Sequence, residues 1–349
     1  MKESVLERNA RLHVDEQIKA FRERQKWPYQ DKVAHARYLI MDYWRECGTM
    51  SKNVHVSVGG LDSITLLCFI RSIGLDVPAI SVSALEDRSI IHVHKQLGVE
   101  MIRPIKKKTE VIREFGYPIL SKEIAGKISL LQNPSEKNKT VRHAIITGET
   151  GEYGGNRKGT RMRLSEKWLK LFGGADEAGA ALGYKAAPFK VSDRCCYYLK
   201  ERPCDTWAKE HNSVPYLGLM ASEGGRRQKA LMMHGCNYYG ETTIRSCPFA
   251  IFHRQDLLQL ALDLHVPVPE IYGEIVRDES GMLRTTGAQR TGCSMCGFGI
   301  QMEKRPHRFD MLLERNPKEW NFWMIEMGWG DVLDYIGVDW RPLEKEAKQ

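Results

Sequence analysis

From Asn53 onward the apolar residues fall into short β-branched runs separated by stretches with helical spacing. The spacing predicts a strand over 54–57 and a helix over 62–73 closed by Gly74. It then predicts a strand over 77–83, a helix over 87–97 closed by Gly98, and a strand over 100–105. Further on, 215–220 reads as a strand with a helix from Arg226, and 242–246 as a strand with a helix over 255–265. Strands alternating with helices of about a dozen residues imply right-handed βαβ units and a parallel sheet. The expected fold is therefore α/β, a doubly wound and mainly parallel sheet with helices on both faces. Residues 1–50 read as a helical addition broken at Trp27–Pro28. The stretch 301–349 reads as a helical cap carrying four of the eight tryptophans.

One region breaks the alternation. Around 144–190 the chain is glycine-rich and basic, and it reads as an insertion or mobile surface element. Over 151–172 Arg157, Lys158, Arg161, Arg163, Lys167 and Lys170 stand against Glu152 and Glu166. The expected organisation is a helical segment 1–50, an α/β domain 51–300 holding this insertion, and the cap 301–349.

The 349 residues are 42% hydrophobic and 28% charged, the mix of a globular protein with a real core. No apolar run reaches the roughly 18 residues of a membrane span, and the first residues lack the apolar core of a signal peptide. A cytoplasmic protein is expected. The formal net charge of +8 favours a polyanionic partner such as nucleic acid or a nucleotide. Nine cysteines in a reducing compartment argue against a disulfide framework. Cys68, Cys204, Cys236 and Cys247 read as core residues.

Residues 54–63 are VHVSVGGLDS. A glycine pair between strand and helix lets a ligand approach the backbone, and the first N–H groups of the helix favour an anion. The segment is neither a Walker loop nor a dinucleotide fingerprint. Asp62 suits a helix cap. A second constellation is Cys195-Cys196 with Cys293-x-x-Cys296 further along. Four thiolates suit a four-iron cluster or a zinc. An adjacent pair fits the larger cluster better than one small tetrahedral ion.

The stretch G-G-x-D-S resembles the PP-loop, S-G-G-x-D-S, of the ATP pyrophosphatases. Gly59, Gly60, Asp62 and Ser63 match it, with Val58 at the first serine and Ser57 one residue earlier. The run CC-x-x-x-x-K-x-x-P with a later C-x-x-C is similar to the assimilatory adenylyl-sulfate reductases, which belong to the same phosphoadenosine-phosphosulfate-reductase-like superfamily. LGLMASEGGRR offers Ser222, Glu223, Arg226 and Arg227 for that family's Arg-rich segment. PFAIFHRQD offers Pro248, Phe252 and Asp256 for a further one. The resemblance implies an adenine-nucleotide-hydrolase-like sheet, ATP with Mg²⁺ on the elbow, and a 4Fe–4S cluster on Cys195, Cys196, Cys293 and Cys296. It implies nucleotide contacts from Ser57, Gly59, Gly60, Asp62, Ser63, Lys122, Glu223, Arg226 and Arg227, with Asp62, Ser63 and Arg226 in the catalytic roles.

The resemblance is incomplete. Reductases of the family attack with a cysteine in a C-terminal E-C-G-L-H segment, and no cysteine follows Cys296 here. GGLDS is closer to the pyrophosphatases that adenylate a substrate with intact ATP. The favoured expectation is adenylation of an acceptor followed by sulfur transfer, as in DNA phosphorothioation or tRNA thiolation. The partners would be nucleic acid, met by Arg157, Lys158, Arg161 and Arg163, and a sulfur donor such as a cysteine desulfurase, in a protein that could pair as a homodimer. A sulfonucleotide reductase and a non-enzymatic nucleotide- or nucleic-acid-binding module stay open as alternatives.

Overall fold

The chain is described by a computed structural model over residues 5–82, 86–149 and 162–343, without the side chains of residues 5–13 and of Arg226. Its strands are β1 (Asn53–Ser57), β2 (Ala79–Ser81), β3 (Glu100–Met101), β4 (Ile119–Leu120), β5 (Ser213–Leu217), β6 (Asn237–Tyr239), β7 (Ile244–Ser246), β8 (Ile275–Arg277), β9 (Leu283–Thr285) and β10 (Gly297–Phe298). They divide between two units. The first is Met1–Arg103 with Arg202–Ser294, and the second is Pro104–Glu201 with Met295–Gln349. Both units are discontinuous in the chain, whereas the sequence suggested consecutive segments.

The first unit holds a six-stranded sheet in the order β3-β2-β1-β5-β7-β6. Every pairing is parallel except β6 with β7. The chain builds outward from β1 to β2 and β3, then returns to the other side of β1 with β5. The order reverses there, so the carboxyl ends of β1 and β5 flank the switch point of a doubly wound sheet. Each expected strand of this sheet is present: β1 at its expected length, β5 displaced toward the N-terminus, and β2, β3 and β7 shorter than their apolar runs.

Three residues of β1 in succession, Val54, His55 and Val56, are buried. This is the mark of a parallel strand covered on both faces. His55 alternates in direction with its valine neighbours and is satisfied by Ser213 Oγ at 2.8 Å. Burial pulls its pKa down to about 4, so the ring stays neutral near pH 7. The helices Tyr29–Thr49 and Leu61–Ser72 both pack on β1. Helix Leu61–Ser72 is apolar nearly all round, burying Leu61, Ile64, Leu66, Leu67, Phe69 and Ile70.

The second unit is mainly helical around a parallel pairing of β4 with β10. Its core joins Trp168, Leu169 and Phe172 to Phe309, Trp323 and Trp329. The helix Glu166–Phe172 thus corrects part of the surface reading of 144–190. Residues 164–172 supply core, and Tyr335 donates its hydroxyl to the Leu171 carbonyl at 2.6 Å. The glycine-rich centre of that stretch lies outside the described residues. Trp320, Trp323 and Trp329 of the C-terminal stretch are buried in this same core. No described helix is long and apolar enough to cross a membrane.

One ion pair ties the N-terminal helices to the first unit. Lys32 Nζ lies 2.7 Å from Asp256 Oδ2, with side chains 4% and 13% exposed. Asp256 also accepts the His253 N–H at 2.7 Å, capping helix Arg254–Asp263. Removing one partner strands a charge. Lys32→Ala is expected to cost about 3 kcal/mol, whereas Lys32→Met with Asp256→Leu should recover most of it. Urea melts of the two variants check this. Equal loss in both would show that packing, not charge, holds the helix.

Candidate functional site

The elbow follows β1 at the switch point. Ser57 is the last residue of β1 and pairs with Leu217 at the end of β5. Val58, Gly59 and Gly60 then turn the chain into helix Leu61–Ser72. The turn is held from three sides. His94 Nε2 donates to the Gly59 carbonyl at 2.8 Å. Ser63 Oγ accepts the Gly59 N–H at 2.7 Å and donates to the Gly60 carbonyl at 3.0 Å. The Leu61 N–H donates to the Tyr272 hydroxyl at 3.1 Å, and that hydroxyl lies 2.6 Å from Thr291 Oγ1. The N–H groups of Gly60 and Asp62 have no protein acceptor among the described residues.

The two glycines do different jobs. At Gly59 a methyl group would meet nothing closer than Ser63 Oγ at 3.9 Å, so that face of the turn is open. At Gly60 it would sit 2.3 Å from the Tyr272 hydroxyl and 3.0 Å from Thr291 Oγ1. Gly60 therefore answers to a protein contact as well as to any ligand. Gly218, just after β5, is a third such position. A methyl there would stand 2.9 Å from Ser63 Cα, so glycine lets the β5 loop lie against the first turn of the helix.

Charges cluster at the same turn. Asp62, in the first helical turn, forms an ion pair with Arg254, and the side chains are 27% and 28% exposed. Arg254 also donates to the Gln289 carbonyl at 3.1 Å. Burial by surrounding protein pushes the Asp62 carboxyl above its ordinary range, while Arg254 pulls it back down. Asp62 does not cap its own helix; Gly60 holds the N-cap position without a side-chain bond. Glu223 pairs with Arg227 at 2.6 Å and stands 3.8 Å from Arg290. Ser222 donates to the Phe252 carbonyl at 2.9 Å. Arg226 lies in helix Gly225–His234. Sequence reading found Asp62, Ser63 and Glu223. It missed Arg254, Tyr272, Thr291, Arg290, His94 and Gly218, whose approach depends on loops distant in the chain.

Of the predicted ligand cysteines, Cys195, Cys196 and Cys296 belong to the second unit and Cys293 to the first. Cys195 is buried; Cys196, Cys293 and Cys296 are partly so. Cys196 and Cys296 lie within electrostatic reach of each other, and burial pushes the Cys196 thiol up against the pull of Lys122. Lys122 opens helix Lys122–Gln132 and pairs with Glu201 at 3.1 Å. Among the described residues no three His, Cys, Asp or Glu side chains gather closely enough to hold a single metal ion. Cys236 and Cys247 are buried in the core of the first unit, Cys68 is partly buried against it, and Cys204 is partly buried in helix Arg202–Glu210.

Of the basic side chains expected at nucleic acid, Arg157, Lys158 and Arg161 lie outside the described residues. Arg163 is engaged within the protein, by Glu166 at 3.2 Å and the Ile146 carbonyl at 3.2 Å.

No protein-family model and no curated protein matches the chain. Among solved structures it is similar to a phosphoadenylyl-sulfate (PAPS) reductase from Candida auris in complex with phosphate. The match has 12% identity and a TM-score of 0.35, and it covers 81% of this chain and 98% of the other.

The Gly60–Tyr272 contact makes a double-mutant test. Gly60→Ala should cost about 1–3 kcal/mol through overpacking, and Tyr272→Phe about 1 kcal/mol through its lost hydrogen bonds. Together they should cost clearly less than the sum, because the hydroxyl that collides is gone. Chemical denaturation of the four proteins measures the coupling, and strict additivity would refute it.

Proposed function

We propose that the chain is a PP-loop enzyme that binds ATP with Mg²⁺, adenylates an acceptor with release of pyrophosphate, and so prepares it for sulfur transfer. The observation that carries this reading is the elbow itself. It sits at the switch point of a parallel sheet, where α/β proteins bind ligands. Its Gly59 face is open, and two N–H groups at the helix start have no protein acceptor. Guanidinium groups and a carboxylate stand beside it. Helix dipole and N–H groups favour the phosphates, and Asp62 is the carboxylate suited to the accompanying cation.

The reaction needs little covalent help from the protein. An acceptor oxygen attacks the α-phosphorus, the bond from that phosphorus to the bridging oxygen breaks, and pyrophosphate leaves. A persulfide sulfur of the donor then attacks the activated centre, AMP leaves with the acceptor's oxygen, and a second thiol cleaves the remaining S–S bond as a disulfide. Negative charge grows on the departing oxygen, and the guanidinium groups of Arg227 and Arg254, with Arg226 as the resemblance implies, would lower the barrier by taking phosphate oxygens. Ser63 and Gly59 would keep the turn in register for the β and γ phosphates.

By the resemblance, Cys195, Cys196, Cys293 and Cys296 would be the thiols to hold a 4Fe–4S cluster, with Lys122 near Cys196 for charge balance. Such a cluster would supply a site for incoming sulfur. The net charge of +8 supports a polyanionic acceptor, DNA or tRNA, with a cysteine desulfurase as donor.

Three measurements test the proposal. Purified without oxygen, the protein should release pyrophosphate from ATP in the presence of DNA or tRNA, and Asp62→Ala should abolish release while leaving iron content and fold intact. Iron and sulfide should be present in the wild type and lost in Cys293→Ser; stoichiometric zinc instead would exclude the cluster. Nucleic-acid affinity should fall by roughly 0.9 log units per log unit of salt for each duplex phosphate contacted, and Arg161→Ala with Arg163→Ala should flatten that slope. Turnover of a sulfonucleotide without nucleic-acid binding would favour a reductase instead.

A further inference from the structure

We infer that Arg254 is a phosphate-binding residue held in reserve on Asp62. A nucleoside triphosphate arriving with a divalent cation exchanges the pair, the cation taking the carboxylate and the guanidinium taking phosphate oxygens. The inference rests on the nucleotide reading proposed above and names the residue that switches within that site.

Three observations converge on Arg254. Its backbone is fixed: it is the first residue of helix Arg254–Asp263, whose start is capped by Asp256, itself anchored on Lys32. Its guanidinium is only partly used. One N–H group reaches Asp62 and another the Gln289 carbonyl, so of the five donors of an arginine three remain. Its partner is the carboxylate that stands in the first turn of the helix behind the open Gly59 face.

The exchange is energetically easy. An ion pair whose side chains are both more than a quarter exposed is weak, because water and salt screen it. A guanidinium on phosphate makes shorter, charge-assisted and often paired hydrogen bonds. The surrounding charges point the same way. Asp62, Glu223 and, beside Gly59, Glu86 stand against Arg227, Arg254 and Arg290, so the charges of the cluster balance. A cation on Asp62 would leave the cluster short of negative charge, and a phosphate chain would fill that shortage. Binding of cation and phosphate is then coupled through one side chain, which would make the site prefer a triphosphate–metal complex over either component alone.

The test uses the full-length protein and two probes. Mn²⁺ alone, followed by its electron paramagnetic resonance signal, reads Asp62; Mg–ATP, followed by calorimetry, reads the phosphates. Arg254→Gln should bind Mn²⁺ several-fold more tightly than wild type, because the carboxylate has lost its competitor. The same variant should bind Mg–ATP about tenfold or more weakly, with Arg254→Lys in between. An arginine that merely braces the turn would lower both affinities together, and that result, or unchanged Mn²⁺ binding, overturns the inference. Wild-type protein that binds Mg–ATP with Arg254→Gln indifferent sinks the inference alone. Wild-type protein that binds no Mg–ATP sinks the nucleotide reading and the inference with it.

Discussion

The parallel pairing of β1 with β5 is the constraint on which the candidate site depends. Five successive residues of β1 are in register with five of β5, from Asn53 opposite Ser213 to Ser57 opposite Leu217. That register ends both strands at one level. Two loops distant in the chain, one after Ser57 and one after Leu217, therefore emerge side by side. A shift of one residue would exchange the residues that β1 presents to its two covered faces and stagger the loops. Burial of Val54, His55 and Val56 on both faces of the strand fixes the register against such a slip.

Once the loops are adjacent, contact at the level of single atoms shapes the elbow. Gly218 allows the β5 loop to rest on Ser63, and Gly60 allows the Tyr272 hydroxyl to reach the Leu61 N–H. The Tyr272 hydroxyl meets one of the donors that a helix start leaves unpaired. Arg254 meets the one carboxylate in the first turn. Such an arrangement is tidy without a ligand and retains an open face at Gly59. The Leu61–Tyr272 bond is buried, whereas the Asp62–Arg254 pair is partly exposed.

The second unit obeys a different logic. It has no large sheet, so its stability comes from a cluster of aromatic rings, with Trp329 fully buried and edge-on to Tyr117 and Phe309. The β4–β10 pairing ties the segment just after Cys296 to the strand that precedes Lys122. Arg308 donates to the Cys296 carbonyl at 3.0 Å, fixing the backbone on which that thiol is carried.

Much of this was legible in the residues themselves. The βαβ alternation, the position of the elbow and the helices that begin near Asp62, Asp87, Arg226 and Gln255 are local properties, encoded in apolar spacing, glycines and caps. So were Asp62 and Ser63, because a strand–Gly-Gly–helix turn is a contiguous signal. The sequence could not say that residues 164–172 are core, because their pattern of cations around Trp168 and Phe172 has the periodicity of an exposed helix as much as of a buried one. It could not say that Gly60 answers to Tyr272, that Asp62 pairs with Arg254, or that the compact units interleave along the chain. Contacts such as Asp62 with Arg254, 192 positions apart, and Leu61 with Tyr272, 211 apart, depend on the register of the buried sheet, which determines which residues meet.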